Sequence, residues 1–426
     1  MKKMRKVYDM MLEASVAHAK WDYEVSSNIL KRKSRLLILF ILLLPIILVS
    51  LAQATGNLPV SLGGKETYTP EFYTTSVFLL SIVIGFCAGL ITGCIGAGGG
   101  FIITPALMSI GIKGILAVGT DLFHIFAKAI MGTVIHKKLG NVCVGLAVAF
   151  LVGSGIGVVG GGVINRTLYE INPILSDTFI SLFYVFLLGF LGVYALTDFL
   201  RLRKKGEDVD VHRSGSSLKE KDGSLKKATL SSRLQASNIP PVINFDQDLV
   251  PGGKKIPALF VAICGSIVGF VAAIMGVGGG FLTFPMFVYI LGVSSYTTVG
   301  TDITQIIFTA GFASITQYAI YGFIFYTLAM GMLIGSLAGI QIGALTTKVV
   351  RGIYIRGFYA MAILAGFFNR LFILPKKLDE LGVIAIPKTI LAVLTQFGTI
   401  SFYITIAIFA LWVTSKFFLN IKQLRA

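Results

Sequence analysis

Apolar runs of membrane-crossing length, separated by short polar or basic segments, recur along the chain from Leu36 to Trp412. A helix of about 20 apolar residues spans a bilayer core, so residues 36–54, 76–95, 142–164, 178–200, 357–374 and 389–412 are expected to cross. Residues 101–117 and 122–135 are shorter, and read either as two tilted spans or as a re-entrant pair. Residues 201–255 form the long polar interruption, with twelve basic and seven acidic residues, much Ser, Lys and Gly, and no periodicity. That composition predicts a cytoplasmic linker, largely disordered.

The pattern repeats itself. GAGGGFIITP at 96–105 returns as GVGGGFLTFP at 276–285, and a Gly-Thr-Asp follows each, at 119–121 and 300–302, with one residue inserted in the second copy. The alignment continues from Gly153, Ser154, Gly157 and Gly161 to Gly335, Ser336, Gly339 and Gly343. The units are therefore a tail (1–35), a first helix (36–54), a first repeat (76–200), the linker (201–255), a second repeat core (256–350) and a C-terminal pair of helices with a short tail (351–426).

Composition turns this pattern into a class. With 55% hydrophobic residues, 13% charged residues and a mean hydropathy of +0.83, the chain reads as an all-α polytopic membrane protein. Its net charge of +17 lies in segments flanking the apolar runs, which argues for membrane orientation and against nucleic acid. Nine basic residues in 1–35 place the N-terminus in the cytoplasm; Lys416, Lys422 and Arg425 do the same for the C-terminus. Met4, Val7, Tyr8, Met11 and Leu12 keep helical spacing, suited to a helix lying on the membrane surface or to a partly ordered tail. Ala52-Gln53-Ala54 imitates a cleavage site, but the long leading tail favours an uncleaved anchor. The first copy then enters from outside and the second from inside, which predicts two inverted-topology repeats with short, glycine-interrupted helices near the membrane midplane. Secondary transporters build a central site reachable from either face in this way.

The candidate chemistry is spare. Cys87, Cys94, Cys143 and Cys264 lack metal or disulfide spacing, and no nucleophile, base and oxyanion set converges, so neither a metal, a cofactor nor an enzyme is expected. Gly96, Gly98, Gly99 and Gly100, with Gly276, Gly278, Gly279 and Gly280, can leave backbone N–H groups at the positive ends of two half-helices. Two such ends facing each other would cradle an oxyanion; alternatively the glycines serve close helix packing, as Gly153, Gly155, Gly157 and Gly160 to Gly162 are expected to do. Around that cradle, Lys128 offers charge, and Thr120, Thr301 and Gln305 offer hydrogen bonds. Asp121 and Asp302, each costing roughly 2.5–3.5 kcal/mol to insert at the bilayer centre, either carry a coupling proton together with His124 or cap the helices that follow them. His124 and Lys128 lie three and seven residues after Asp121, on one helical face; Gln305 and Thr309 take their places in the second copy.

The duplicated GxGGGFxxxP and Gly-Thr-Asp pattern resembles the TauE/SafE family of sulfite and organosulfur-anion exporters, over about residues 76–415 without the linker. The resemblance implies transport of a small sulfur oxyanion or sulfonate, such as sulfite, thiosulfate or sulfoacetate, across the inner membrane, with export preferred. Proton- or sodium-coupled uptake is the alternative within the family, and a membrane subunit docking a redox or sensory partner the alternative outside it. Only His124 and His136 lie near the membrane among the four histidines, which argues against a haem subunit. Expected partners are the bilayer, the anion, a second copy of the chain, and a cytoplasmic protein at the 201–255 linker.

Overall fold

The computed structural model describes residues 20, 23–24, 33–55, 58–64, 74–95, 99–136, 143–205, 230–246, 253–279, 282–283, 286–347, 349–350 and 352–421. The surface helix expected at 4–12 and the tail's charges lie mostly outside them. Among the described residues the first helix is α1 (Lys33–Ala54), followed by α2 (Thr75–Ile95), α3 (Gly100–Ser109) and α4 (Gly114–His136). Then come α5 (Val144–Ile171), α6 (Pro173–Lys205) and a short α7 (Leu230–Gln235) in the linker. The second repeat has α8 (Ala258–Met275), a π-helical segment Met286–Leu291, α9 (Ser295–Ala313) and α10 (Tyr326–Thr346). Helices α11 (Gly352–Glu380) and α12 (Lys388–Leu419) complete it. Eight of these helices, α2, α4, α5, α6, α8, α10, α11 and α12, are long and apolar enough to cross a membrane.

Two boundaries differ from the expectation. The break between the short segments falls at Ile110–Lys113, ahead of the Gly-Thr-Asp sequence, because Gly111 takes a left-handed turn (φ 94°) there. Asp121 and Asp302 accordingly lie inside α4 and α9 and cap neither helix; Ser294 caps α9, its hydroxyl accepting from Thr297 N–H.

Part of the linker is folded. A two-stranded antiparallel hairpin pairs β1 (Val242–Phe245) with β2 (Lys254–Pro257), and the linker grips the end of the π-helical segment. Gln235 Nε2 donates to Leu291 O (2.7 Å) and Lys254 Nζ to Gly292 O (2.9 Å). Asp246 accepts from Ser294 N–H (2.8 Å), Ser294 Oγ (2.7 Å) and Thr297 Oγ1 (2.6 Å). These polar residues have tertiary partners that composition alone cannot announce.

The repeats exchange helices along two glycine seams. Helix α2 packs against α10, with Gly85, Gly89 and Gly93 against Met332, Ser336 and Ile340. Helix α8 packs against α5, with Gly153, Gly157 and Gly161 against Ala262, Ser266 and Phe270. Residue numbers rise together in both seams, so each pair runs parallel. A Cβ on Gly153 would lie 1.8 Å from Ala262 O, and one on its repeat counterpart Gly335 2.0 Å from Ile82 O. Only glycine permits backbones this close. By contrast, α6 and α11 run antiparallel, Gly189 meeting Phe367, Gly192 Leu364 and Phe199 Gly357. Helix α4 does likewise against α9 and the π-helical segment Ser314–Ala319 that continues it, through Gly119 with Tyr318 and Phe126 with Gly311. Both of these pairs join equivalent elements of the two copies.

Candidate functional site

The two glycine motifs meet at the centre of this arrangement. Helix α3 begins at Gly100 with Gly99 ahead of it, while α8 ends at Met275 and turns through Gly276, Gly278 and Gly279 at φ 76°, 68° and 80°, conformations L side chains resist. Gly96, Gly98 and Gly280 lie outside the described residues. A Cβ on Gly100 would sit 2.9 Å from Val277 Cα, and one on Gly276 3.0 Å from both Thr104 Oγ1 and Val118 Cα. The Tyr184 hydroxyl of α6 reaches Met275 O (2.5 Å) and Gly100 O (3.2 Å), and so spans the junction. Sequence reasoning missed this residue, since one tyrosine in an apolar run carries no motif.

Each copy sends a polar string from this junction into the other copy. In the first, Thr104 Oγ1 donates to Asp121 Oδ2 (3.1 Å), and His124 Nε2 pairs with Ser336 Oγ (2.9 Å). Between them Asp121 Oδ1 and His124 Nδ1 stand 3.5 Å apart, each without a hydrogen-bond partner among the described residues. In the second, Gln305 Nε2 donates to Asp302 Oδ1 (2.6 Å) and Thr283 Oγ1 (3.0 Å). Thr309 Oγ1 joins Gln305 Oε1 (3.1 Å) to Ser154 Oγ (3.0 Å). Asp121, His124, Asp302, Gln305 and Thr309 are all buried. Asp121 and Asp302, His124 and Gln305, and Ser336 and Ser154 are repeat counterparts, whereas Thr104 and Thr283 are not; the second string is hydrogen-bonded from Thr283 to Ser154, and the first has a gap at its one titratable pair.

The remaining candidates take other places. Thr120 Oγ1 accepts from Phe325 N–H (3.0 Å) and Thr301 Oγ1 from Cys143 N–H (3.2 Å), so both hold the entry to an exchanged helix. Lys128 lies one turn beyond His124 and is half-buried. The Cys94 thiol donates to Gly343 O (3.3 Å), across the α2–α10 seam. Among the described residues, no three His, Cys, Asp or Glu side chains come together.

The family described as sulfite exporter TauE/SafE matches residues 81–369. The chain is 24% identical to a probable membrane transporter protein, YjnA, of Bacillus subtilis (strain 168), over 62% of this chain and 87% of that one. It is likewise 24% identical to a second, YunE, of the same organism, over 63% and 87%. A probable membrane transporter protein of Methanocaldococcus jannaschii is 35% identical over 17% of this chain and 29% of its own. No solved structure matches.

Proposed function

This chain belongs to the sulfite exporter TauE/SafE family of membrane transporters, and from that premise we propose that it exports a small sulfur oxyanion or sulfonate across the inner membrane by alternating access. The observation that carries the reading is the junction of the two glycine motifs, where Gly100 of one copy abuts Gly276 and Val277 of the other. The N-terminal end of α3, the positive end of its dipole, lies at that junction. The antiparallel course of α6 against α11 and of α4 against α9 supports inverted repeats, and inversion makes the two half-sites interchangeable between faces.

Asp121 also adjoins this end, its Oδ2 lying 3.2 Å from where a Gly100 Cβ would be. Two negative charges so close in a low dielectric repel strongly. The anion therefore binds with a proton on the Asp121–His124 pair, and that proton stays through the cycle, so the net charge moved is the anion's. An inside-negative potential is worth about 2.3 kcal/mol per charge per 100 mV. At about 1.4 kcal/mol per tenfold ratio, it expels a monovalent anion roughly 40-fold.

Radiolabelled sulfite flux from proteoliposomes under an imposed potential tests the reading. Efflux that follows the potential supports it; flux indifferent to the potential, or absent while a proton or sodium gradient drives uptake, replaces export with coupled uptake.

A further inference from the structure

Beyond the glycine junction lies a buried cation that the reading above does not use. Arg370 of α11 is 1% exposed. Its Nε and Nη2 donate to Asn369 Oδ1 (2.8 and 2.6 Å), and Nη2 also to Ser109 Oγ (2.6 Å) and Pro105 O (3.0 Å). All of these partners are neutral, and among the described residues no carboxylate lies within ion-pair distance. Nη1 makes no hydrogen bond among them. Lys377, two turns further along the same helix, is paired with Asp177 at 3.2 Å.

A charge taken out of water without a counter-ion costs several kcal/mol. Capping the carbonyls at the C-terminal end of α3 returns part of this, but capping requires a donor and not a charge. The neighbouring Ala106 carbonyl is held by the neutral Tyr403 hydroxyl at 2.9 Å. The uncompensated positive charge is what remains to be explained.

Its position supplies the explanation. Pro105 is the proline of the first glycine motif, so the guanidinium lies along α3, about 7–8 Å of helix rise beyond Gly100. Asn369 is tied in turn to Gly398 O of α12 (3.2 Å). One helical turn before Gly398, the Thr395 hydroxyl is buried and unpartnered, and Thr395 lines an open cleft between α11 and α12 together with Lys376, Lys388, Asp379 and Glu380. We infer that Arg370 is a second anion station, which takes the sulfur oxyanion or sulfonate as it leaves the junction and holds it with the planar donor fork that suits an oxyanion. This inference rests on the sulfur-anion reading above.

The test compares R370K and R370Q for equilibrium binding of radiolabelled sulfite and for thermal unfolding in detergent. A station that needs charge predicts that R370K keeps sulfite affinity within about tenfold of wild type. R370Q loses more than that while unfolding no earlier, since removing an unpaired buried charge relieves the fold. A capping role alone predicts the opposite order of stability and unchanged affinity. Wild-type protein treated with an arginine-modifying dicarbonyl and mapped by mass spectrometry decides the matter without any variant. Modification of Arg370 that sulfite slows at least threefold supports the station; modification unaffected by sulfite, or none at all, overturns it. Sulfite binding by wild type with no role for Arg370 removes this inference alone, whereas no binding of sulfite, thiosulfate or a sulfonate by wild type removes the sulfur-anion reading as well.

Discussion

Gly276→Ala and Gly111→Ala together isolate the contact between the two motifs from the backbone strain that accompanies it. Both glycines have left-handed φ, 76° and 94°, and alanine there costs roughly 1–2 kcal/mol. At Gly111 nothing lies within 4 Å of the new Cβ, whereas at Gly276 it meets Val118 Cα at 3.0 Å, a backbone atom that cannot swing aside. Overpacking of this kind adds roughly 1–3 kcal/mol, giving about 2–5 kcal/mol for Gly276→Ala against about 1–2 kcal/mol for Gly111→Ala. Thermal unfolding in detergent should rank the variants in that order. Sulfite flux in proteoliposomes should survive in Gly111→Ala and fall at least tenfold in Gly276→Ala, because the junction is wedged open. Equal flux in the two variants would refute the reasoning, since strain without contact would then have the same effect as strain with it.

Three further outcomes follow from the same geometry. Asp121→Asn should abolish the pH dependence of uptake or release of a sulfonate, whose own charge is fixed, while Asp302→Asn leaves it; in wild type the affinity should rise as pH falls, because the anion binds with a proton on the Asp121–His124 pair. Asp246→Ala removes the acceptor of three hydrogen bonds, each worth about 1.5–3 kcal/mol when charge-assisted, and should speed limited proteolysis near the β1–β2 hairpin, whereas shortening residues 206–229 should leave transport intact. Gly335→Val should prevent recovery of monodisperse protein through its collision with Ile82 O, but Gly155→Ala, whose nearest neighbour is 3.9 Å away, should be tolerated.

What could be read in advance was periodic or duplicated. The apolar runs placed α2, α5, α6, α11 and α12 with ends off by up to seven residues, and the glycines aligned between the copies mark both seams. Signals that depend on a distant partner could not be read. Gly119-Thr120-Asp121 looked like an interruption because polar residues end membrane helices, but Thr104 and His124 accommodate Asp121 within α4. Arg370 sits alone in an apolar run, and its meaning comes from α3, 261 residues away at Ser109. Tyr184 likewise gains its place only when Gly100 and Met275 are brought together. The linker's polar composition concealed Gln235, Asp246 and Lys254 as clamps, since composition reports how much apolar surface a segment can bury and not which carbonyls await a donor.

Solid-supported-membrane electrophysiology on proteoliposomes tests the central claim most directly, with sulfite, thiosulfate, sulfate, a small sulfonate and chloride presented in turn at two pH values. The account predicts a transient current for at least one sulfur anion, larger at the lower pH for the sulfonate, with none for chloride and a current at least tenfold smaller in Gly276→Ala. Silence for every sulfur anion from folded protein, matched by no exchange of radiolabelled sulfite, would contradict it.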